Sequence, residues 1–403
     1  MKRILFVDDE VSILDGLRRM LRPMRTEWEM AFAPGGEAAL TLLEAAPFDV
    51  IVTDMRMPGM DGASLLEIVR EKYPGMLRII LSGYTELQAS LRAVPVAHQF
   101  LLKPCDPDML RNGIARATSL GAVLDSRMLT SLVGALRDLP ALPRVSTELK
   151  QILTHPNVTI ERIVQVVEQD VAVSAKLLQL VNSAFFGLAR DVTDLKTAVS
   201  CLGIAVLHDL VLTLEVFRSF RPNEFVSEEY LETFHQHAQL TARIAAAIAQ
   251  QEHSPASVVL AALLHDVGKL VIAERTPQHF ARALAQAEHE GRPLFEVEEK
   301  LTQISHAEVG AYLLSLWGLP YAVVEAVAHH HHPQRVPQKG LDSIAIVYIA
   351  NLLAAERSHR DWGTPAPPPF DSDYLQRCGA AGRLDEWRKL ANAVLLGSPL
   401  PVA

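Results

Sequence analysis

The sequence predicts an α/β domain with a five-stranded parallel sheet, followed by an all-α domain. From Lys2 to about Thr118, strand-sized apolar runs alternate with amphipathic helical stretches, which is typical of a parallel sheet covered by helices on both faces. After Thr118 the apolar residues recur at helical spacing instead. A chain of 403 residues, 49% of them hydrophobic, is long enough to give each part its own core.

The predicted elements follow these apolar runs in chain order. Each strand is a short run, and the one that begins at Trp28 is the weakest. The predicted strands are Ile4–Val7, Trp28–Phe32, Val50–Val52, Ile79–Leu81 and Phe100–Leu102. The clearest helical patterns of the second part are Ile160–Val167, Val173–Val181, Ala238–Ile248 and Val258–Leu264.

Prolines mark the expected boundaries. The break Leu139–Pro143 cannot continue a helix and would begin the second domain, and Gly363–Pro369 has four prolines, which is typical of an extended spacer. We place the change from sheet to helices near residue 125. We expect residues 1–120 to form the α/β domain, 121–138 a linker helix, 139–355 the helical domain, and 356–403 a Pro-rich spacer with a C-terminal helical appendage.

Composition argues against several classes of protein. The formal net charge of -9 and the pI near 5.9 disfavour a broad basic face, so we do not expect a nucleic-acid partner. The three cysteines, Cys105, Cys201 and Cys378, are far apart and form no Cys-x-x-Cys pair, which fits a reducing cytoplasm. No apolar stretch reaches the roughly 18 residues of a membrane span, so we expect neither export nor a membrane partner.

Polar side chains follow three of the predicted strands, at the point where each strand ends. Asp8 and Asp9 follow the first strand, Asp54 closes the third, and Lys103 follows the fifth. Strand ends converge at the topological switch point of a doubly wound sheet, which is where such folds bind ligands. Three carboxylates there would repel one another without a cation, and Mg²⁺ suits an all-oxygen ligand set. The sequence therefore predicts a magnesium site beside a reactive aspartate.

Asp54 is the predicted nucleophile. It precedes a Pro58-Gly59 turn that would hold its loop in one shape. A carboxylate can attack a phosphoryl group and form an acyl phosphate when a metal and an ammonium neutralise the phosphoryl oxygens. Lys103 would supply the ammonium, and the hydroxyl of Ser82, at the end of the fourth strand, could donate to the new phosphate.

These residues closely resemble the response-regulator receiver family, whose CheY-like domains have a flavodoxin-like fold. The resemblance covers about 118 residues, and its motifs are Phe6-Val7-Asp8-Asp9-Glu10, the loop from Asp54 through Met57-Pro58-Gly59-Met60-Asp61-Gly62, Ser82-Gly83 and Lys103-Pro104. It implies phosphorylation by a sensor histidine kinase. The roles implied by the resemblance are Asp54 as phosphoacceptor, Asp8, Asp9, Asp54 and the backbone carbonyl of Arg56 as Mg²⁺ ligands, Ser82 and Lys103 as phosphoryl contacts, and Phe100 as a rotating switch aromatic.

A second polar group lies in the helical part. The segment Leu263–Leu270 places His265 next to Asp266 inside an otherwise apolar predicted helix. Burying both without partners would cost several kcal/mol, so a metal or a hydrogen-bond network is expected. Imidazole with carboxylate is a ligand set for Fe, Mn, Zn or Ni, metals that a phosphate-hydrolysing site uses to activate water. Further histidines lie before this pair, at His235 and His237, and after it, at His306 and His329–His332.

The second part resembles the HD superfamily of metal phosphohydrolases and, from Leu139 to about Leu353, its HDOD branch. The motifs are Leu139-Pro140-Ala141-Leu142-Pro143, Leu177–Gly187, Ala198–Gly203, His306–Gly310, Trp317–Pro320 and His330–Pro333. HDOD domains are helical modules of bacterial signalling proteins, and most are thought to act through protein contacts. The resemblance implies His237, His265 and Asp266 as metal ligands, and His306, His330 and His331 as ligands of a second ion. Lys269 could contact a phosphate or cap a helix C-terminus.

The chemistry of this second site is left open by the sequence. A typical HDOD domain lacks the His-Asp pair, which this chain keeps, but Asn351 stands where an HD site has an aspartate, and no Gly-Tyr-Pro follows His331. The pair could be a satisfied contact between helices, a metal site without turnover, or a phosphohydrolase. We expect a signalling protein whose helical domain binds an unidentified protein partner rather than an enzyme, with homodimerisation as a further option.

Overall fold

The computed structural model places a parallel α/β sheet at the amino end of the chain and helices after it. This confirms the predicted fold class. The structure describes residues 1–83, 96–103, 110, 133–134, 143–153, 155, 158–182, 192–213, 227–255, 257–336, 340–356 and 368–396.

The sheet has five parallel strands in the order β2-β1-β3-β4-β5. They are β1 (Lys2–Val7), β2 (Trp28–Ala33), β3 (Val50–Asp54), β4 (Leu77–Gly83) and β5 (Gln99–Lys103). In the register of the sheet, Ile4 of β1 pairs with Val50 of β3, which in turn pairs with Leu77 of β4. The strand order reverses between β1 and β3, so the ligand crevice expected for such folds lies at the carboxyl ends of these strands.

The helices α1 (Val11–Met20), α2 (Gly36–Ala45) and α3 (Gly62–Lys72) cover the sheet. Central strand residues such as Ile51 and Val52 have no exposed surface, which explains why the strands read as continuous apolar runs. The core of the sheet therefore fixes the backbone from which the strand-terminal polar residues project.

The loop after β3 is closed by a contact that only glycine permits. The Gly62 amide donates to the carbonyl of Met55 at 3.0 Å, and the Asp61 side chain caps α3 by accepting from the Ser64 amide at 2.8 Å. A Cβ atom at Gly62 would lie 2.2 Å from the carbonyl oxygen of Asp54. Any larger residue would push α3 away from Asp54, because the contacted atom belongs to the backbone.

We expect Gly62→Ala to lower the free energy of unfolding by about 1–3 kcal/mol through this overpacking. The matched control is Gly16→Ala, on α1, where an added Cβ meets nothing within 4 Å and where alanine favours the helix by up to about 1 kcal/mol. Urea unfolding of the two variants checks this. Equal or higher stability of Gly62→Ala would contradict the close approach.

Helices make up the described residues of the second part. They are α4 (Pro143–Leu153), α5 (Ile160–Val167), α6 (Val171–Asn182), α7 (Leu195–Thr213), α8 (Glu228–Gln251), α9 (Ser257–Leu264), α10 (Val267–Arg275), α11 (Pro277–Glu290), α12 (Leu294–Thr302), α13 (His306–Leu316), α14 (Tyr321–His329), α15 (Ser343–Ala355), α16 (Ser372–Arg377) and α17 (Leu384–Leu395). The long helix α8 packs on α9 and α15, α10 packs on α13, and α14 contacts α9, α13 and α15.

The prediction that His265 and Asp266 lie inside one helix is wrong. They form the turn between α9 and α10, and Asp266 has non-helical backbone angles, φ -98° and ψ 5°. The turn is needed because α10 approaches α13 at backbone distance: a Cβ at Gly268 would lie 1.9 Å from the carbonyl oxygen of His306. A straight continuation of α9 could not make that approach.

The C-terminal helices pack on the helical domain. Trp387 of α17 is fully buried, and Arg243 of α8 donates to the carbonyl of Val394. Arg388 forms an ion pair with Glu356 at 3.0 Å. Most of the predicted Pro-rich spacer, and all but residues 133–134 of the predicted linker helix, lie outside the described residues, so the domain limits stay predictions. Within the described ranges, every helix is too short or too polar to cross a lipid bilayer.

Candidate functional site

Lys103 joins two carboxylates at the carboxyl edge of the sheet. Its Nζ donates to Oδ2 of Asp8 at 2.7 Å and also forms an ion pair with Oδ1 of Asp54. Both aspartates are buried, whereas Lys103 is partly exposed. The sheet brings these residues together because β1, β3 and β5 are parallel and end at the same edge. The three side chains therefore meet as the strand ends predicted.

Backbone amides hold the remaining oxygens of the two acids. Oδ2 of Asp54 accepts from the Arg56 amide at 2.8 Å, and Oδ1 of Asp8 accepts from the Glu10 amide at 2.9 Å. Burial raises the pKa of Asp54, and the hydrogen bond and charge of Lys103 offset part of that rise. Burial works against the charge on Lys103, but Asp54 and Asp8 outweigh it and raise the pKa of the ammonium. An oriented carboxylate thus lies beside a fixed positive charge.

The oxygen atoms at this edge fit a hard divalent cation. The carboxylates of Asp8 and Asp54 share a single ammonium, that of Lys103, which leaves negative charge at this edge. Carboxylate oxygens are ligands that Mg²⁺ prefers. Asp9 is exposed and does not join the other two acids in a three-ligand group within 4.8 Å among the described residues. The assignment of Asp8, Asp9, Asp54 and the backbone carbonyl of Arg56 as ligands of this ion stays a prediction. Ser82 lies on β4 and Phe100 on β5, but the predictions for their side chains lie outside the described residues.

A cluster of histidines around Asp266 forms a second site, here called the histidine cluster. Its potential ligand atoms fall into two groups that share Asp266, and within each group all of these atoms lie within 4.8 Å of one another. Every member is buried except His331, which is partly buried. The members are His237 on α8, His265 and Asp266 in the turn before α10, His306 at the start of α13, and His330 and His331 after α14.

Backbone carbonyls fix the orientation of two of these rings. Nδ1 of His265 lies 2.7 Å from the carbonyl of Ala262, and Nδ1 of His330 lies 2.7 Å from that of Val327. A carbonyl can only accept, so in each ring Nδ1 carries the hydrogen. This is the arrangement by which metal-binding histidines are commonly held.

The Nε2 atoms of the same two rings point at Asp266. They lie 3.3 Å and 3.6 Å from its carboxylate oxygens, for His265 and His330 respectively, and neither atom has a hydrogen-bond partner among the described residues. Burial lowers the pKa of His330 to about 3, so this ring is neutral and its Nε2 presents a lone pair. A lone pair that faces a buried carboxylate is unfavourable unless a cation lies between them.

Glu298 positions His306, and sequence reasoning missed it. Its Oε2 accepts from the His306 backbone amide at 2.8 Å and lies 2.6 Å from Nδ1 of the ring. Nε2 of His306 then lies 3.1 Å from Asp266 and 2.9 Å from Nε2 of His331. Burial works against protonation of His306, but the Glu298 carboxylate contributes to a raised pKa. The sequence signal was an acidic residue, Glu298, next to Val297 on the buried side of an amphipathic helix.

We expect Glu298→Gln to weaken metal binding at the histidine cluster by about 10- to 100-fold, because the neutral amide no longer orients and polarises His306. The matched control is Glu299→Gln, whose carboxylate contacts His332 at 2.9 Å instead. Competition with a chelator, followed by metal analysis, measures both affinities. Equal affinities of the two variants would contradict the role of Glu298.

Lys269 belongs to this site as an ion-pair partner of Asp266, with Nζ 2.7 Å from Oδ2. It lies in the first turn of α10, so the option that it caps a helix C-terminus is wrong. Burial alone would raise the pKa of Asp266, but His265 and Lys269 outweigh it and hold that pKa well below its usual range. The carboxylate is therefore charged and available to a cation.

Asn351, on α15, contacts the histidine cluster at His237. Its Oδ1 lies 3.0 Å from Nε2 of His237, which is 4.0 Å from Asp266. Asn351 thus lies at the position that the sequence assigned to a missing aspartate. An amide is a poorer metal ligand than a carboxylate, so the His237 side of the cluster is the weaker one. Mixed imidazole and carboxylate donors fit Fe, Mn, Zn or Ni.

Comparisons with known proteins match both parts of the chain. A family model described as HDOD domain matches residues 139–333, and one described as response regulator receiver domain matches residues 4–115. An uncharacterized protein of Treponema pallidum is 26% identical over 230 residues, which are 56% of this chain and 44% of that protein. The hydrogenase transcriptional regulatory protein HoxA of Cupriavidus necator is 38% identical over 116 residues, 28% of this chain and 23% of HoxA.

The chain thus spans less than half the length of these two curated relatives. Among solved structures, the MmoQ response regulator of Methylococcus capsulatus is 22% identical, with a TM-score of 0.49, and the match covers 62% of this chain and 98% of that one. Because one family model matches the sheet and the other matches the helices that follow it, this chain contains a response regulator receiver domain joined to an HDOD domain.

Proposed function

We propose that the protein is a two-component signalling switch in which Asp54 accepts a phosphoryl group and the HDOD domain passes the signal on by binding another protein. A receiver domain implies a phosphodonor such as a histidine kinase. The observation that carries the proposal is the group of Asp8, Asp54 and Lys103 at one sheet edge, with Lys103 in contact with both carboxylates.

In this mechanism Asp54 attacks the phosphorus of the donor through a carboxylate oxygen, and the bond from phosphorus to the donor breaks as the acyl phosphate forms. Asp8, Asp9, Asp54 and the Arg56 carbonyl would hold Mg²⁺, which when bound would neutralise charge on the phosphoryl oxygens. Lys103 then moves from the carboxylate to the transferred phosphoryl group, because the esterified oxygen no longer carries a full charge. That change in ion pairing is the electrostatic event that distinguishes the two states.

The HDOD domain, in this proposal, holds a transition metal without turning over a substrate. Asp266, His306, His330 and His331 would hold the ion, which when bound would supply Lewis-acid chemistry, and His237 and His265 form the second group on Asp266. Support for binding without turnover comes from burial: His265, His306 and His330 are each at most 1% exposed. A phosphoester must reach the ion to be hydrolysed, and this degree of burial leaves little approach.

A second candidate is a phosphorylation-gated metal phosphohydrolase acting on a nucleotide or phosphodiester. The specific observation in its favour is that five imidazoles form two groups that share the Asp266 carboxylate, with His331 partly exposed and Lys269 paired with Asp266. Asn351 argues against it, because it replaces a charged ligand by a neutral one.

Turnover of a generic phosphodiester distinguishes the two candidates. The full chain, with its metal content measured, is assayed on bis-p-nitrophenyl phosphate with and without prior labelling by acetyl phosphate. We expect bound metal and no hydrolysis in either state. Hydrolysis that requires the metal, rises on labelling and is lost in His265→Ala and Asp266→Ala would replace the first candidate by the second.

A further inference from the structure

The strands of the receiver sheet begin at the end opposite Asp54, here called the base of the sheet. This base packs against the HDOD domain. Arg78, near the start of β4, is buried, and its guanidinium donates to the carbonyls of Val96 at 2.7 Å and Met76 at 3.2 Å. It also donates to the carbonyl of Gly134 at 2.8 Å, in the segment that leads to the HDOD domain. Arg78 thus ties the base of the sheet to the connecting chain.

Helix α6 and the turn that follows α13 contact the base of the sheet. The side-chain amide of Gln179, on α6, donates to the carbonyl of Ala97 at 3.5 Å. Beyond the end of α13, a Cβ at Gly318 would lie 3.8 Å from Nε2 of Gln99. Burial and the charge of Arg70 lower the pKa of Arg78 to about 9, and the phenol of Tyr312, on α13, opposes that shift. The contacts of Gln179 and Gly318 come from different elements and agree on one interface.

Helix α13 joins this interface directly to the histidine cluster. His306 is its first residue and contacts Asp266, and Tyr312 follows six residues later, about 9 Å along the helix axis. Helix α13 is buried, and its backbone packs directly on the backbone of α10 at Gly268. A displacement of one residue of α13 therefore moves the helix against tightly packed neighbours. A shift of His306 would therefore reach Tyr312 as a movement of the whole helix.

A second connection runs through α6. The first amide of that helix, from Val171, donates to Nδ1 of His235 at 3.0 Å, and His235 lies two residues before His237 on α8. Further along α6, Lys176 lies over the ring of Trp317, at 5.4 Å from its centroid, next to the contact that Gln179 makes with the receiver. Helix α6 therefore connects the receiver, through Gln179, with His235, which lies beside the cluster on α8.

We infer that the histidine cluster and the receiver are coupled through α13 and α6. An ion bound at Asp266 and His306 changes the packing of Arg78, Ala97 and Gln99 at the base of the receiver sheet. In return, the state of the receiver changes the affinity of the cluster for that ion. The ion part rests on the metal site proposed above. An ion bound by both Nε2 atoms would replace the contact between His306 and His331, whose Nε2 atoms lie 2.9 Å apart. Coupling of this kind is reciprocal by thermodynamic linkage.

Hydrogen exchange of the full chain tests the inference. Exchange at the amino ends of β4 and β5 is followed with Zn²⁺ and after chelation, with bound zinc measured in parallel. We expect zinc to change exchange at these amides by about fivefold or more, the lower limit typical of such coupling. Tyr312→Phe should reduce the change, whereas the matched control Tyr321→Phe, on an exposed tyrosine of α14, should leave it intact.

The same measurement on His306→Ala without metal separates this inference from the metal proposal. We expect that variant, too, to alter exchange at β4 and β5 relative to the unsubstituted chain, because the substitution perturbs the first residue of α13 directly. If zinc binds and exchange is the same with and without it, the inference is overturned. If no zinc binds, the metal proposal fails, and unchanged exchange in His306→Ala would then overturn the inference as well.

Discussion

We expect Asp54→Asn to take up no phosphoryl group from acetyl phosphate above background. The amide of asparagine is a far weaker nucleophile than a carboxylate, and it also removes one of the two charges that hold Lys103. Incorporation of radiolabelled phosphate into the full chain, normalised to protein, measures the effect.

The control for this prediction is Asp15→Asn, the same change at a partly exposed acid of α1 that pairs with Arg18. It should be labelled as well as the unsubstituted chain, which shows that loss of an acid elsewhere in the receiver is harmless. Labelling of Asp54→Asn at the level of this control would remove Asp54 as the phosphoacceptor and with it the proposed switch.

We expect Asp266→Asn to abolish stoichiometric metal binding by the HDOD domain. Asp266 is the carboxylate shared by both groups of potential ligands, and His265, His306 and His330 all point at it. Its replacement by an amide removes the charge that compensates a divalent cation in a buried site, and other groups in the cluster cannot supply it. Elemental analysis of purified protein measures the loss.

His289→Ala is the matched control for metal binding, because that histidine is exposed on α11 and remote in sequence from the cluster. It should retain the metal content of the unsubstituted chain. If Asp266→Asn binds as much metal as His289→Ala, the ion is held elsewhere, and the lone pair of His330 that faces Asp266 needs another explanation.

The strand-terminal residues of the receiver show how much of a site follows from sequence. Asp8, Asp54 and Lys103 could be placed together because apolar runs reveal parallel strands, and parallel strands end at one edge. The exposed position of Asp9 could not be predicted, because neighbouring residues at a strand end point in different directions according to the turn that follows. The motif assigned both acids to the ion, and that role of Asp9 stays a prediction.

The histidine cluster shows which features of a site cannot be predicted from sequence. The sequence identified every histidine in it, but it placed His265 and Asp266 inside a helix, since an apolar run gives no sign of a turn imposed by a distant neighbour. That turn depends on the contact between Gly268 and the backbone of His306, which lies far along the chain. Glu298 was missed for the same reason: its partner is eight residues away, across the break between two helices.

The central claim is that the state of Asp54 changes the HDOD domain, and hydrogen exchange with and without phosphorylation tests it most directly. The full chain is labelled with acetyl phosphate in Mg²⁺, and exchange is compared in α6 and α13, with Asp54→Asn treated in the same way. We predict altered exchange in both helices of the unsubstituted chain and none in Asp54→Asn. Identical exchange before and after complete labelling of the unsubstituted chain would contradict the claim.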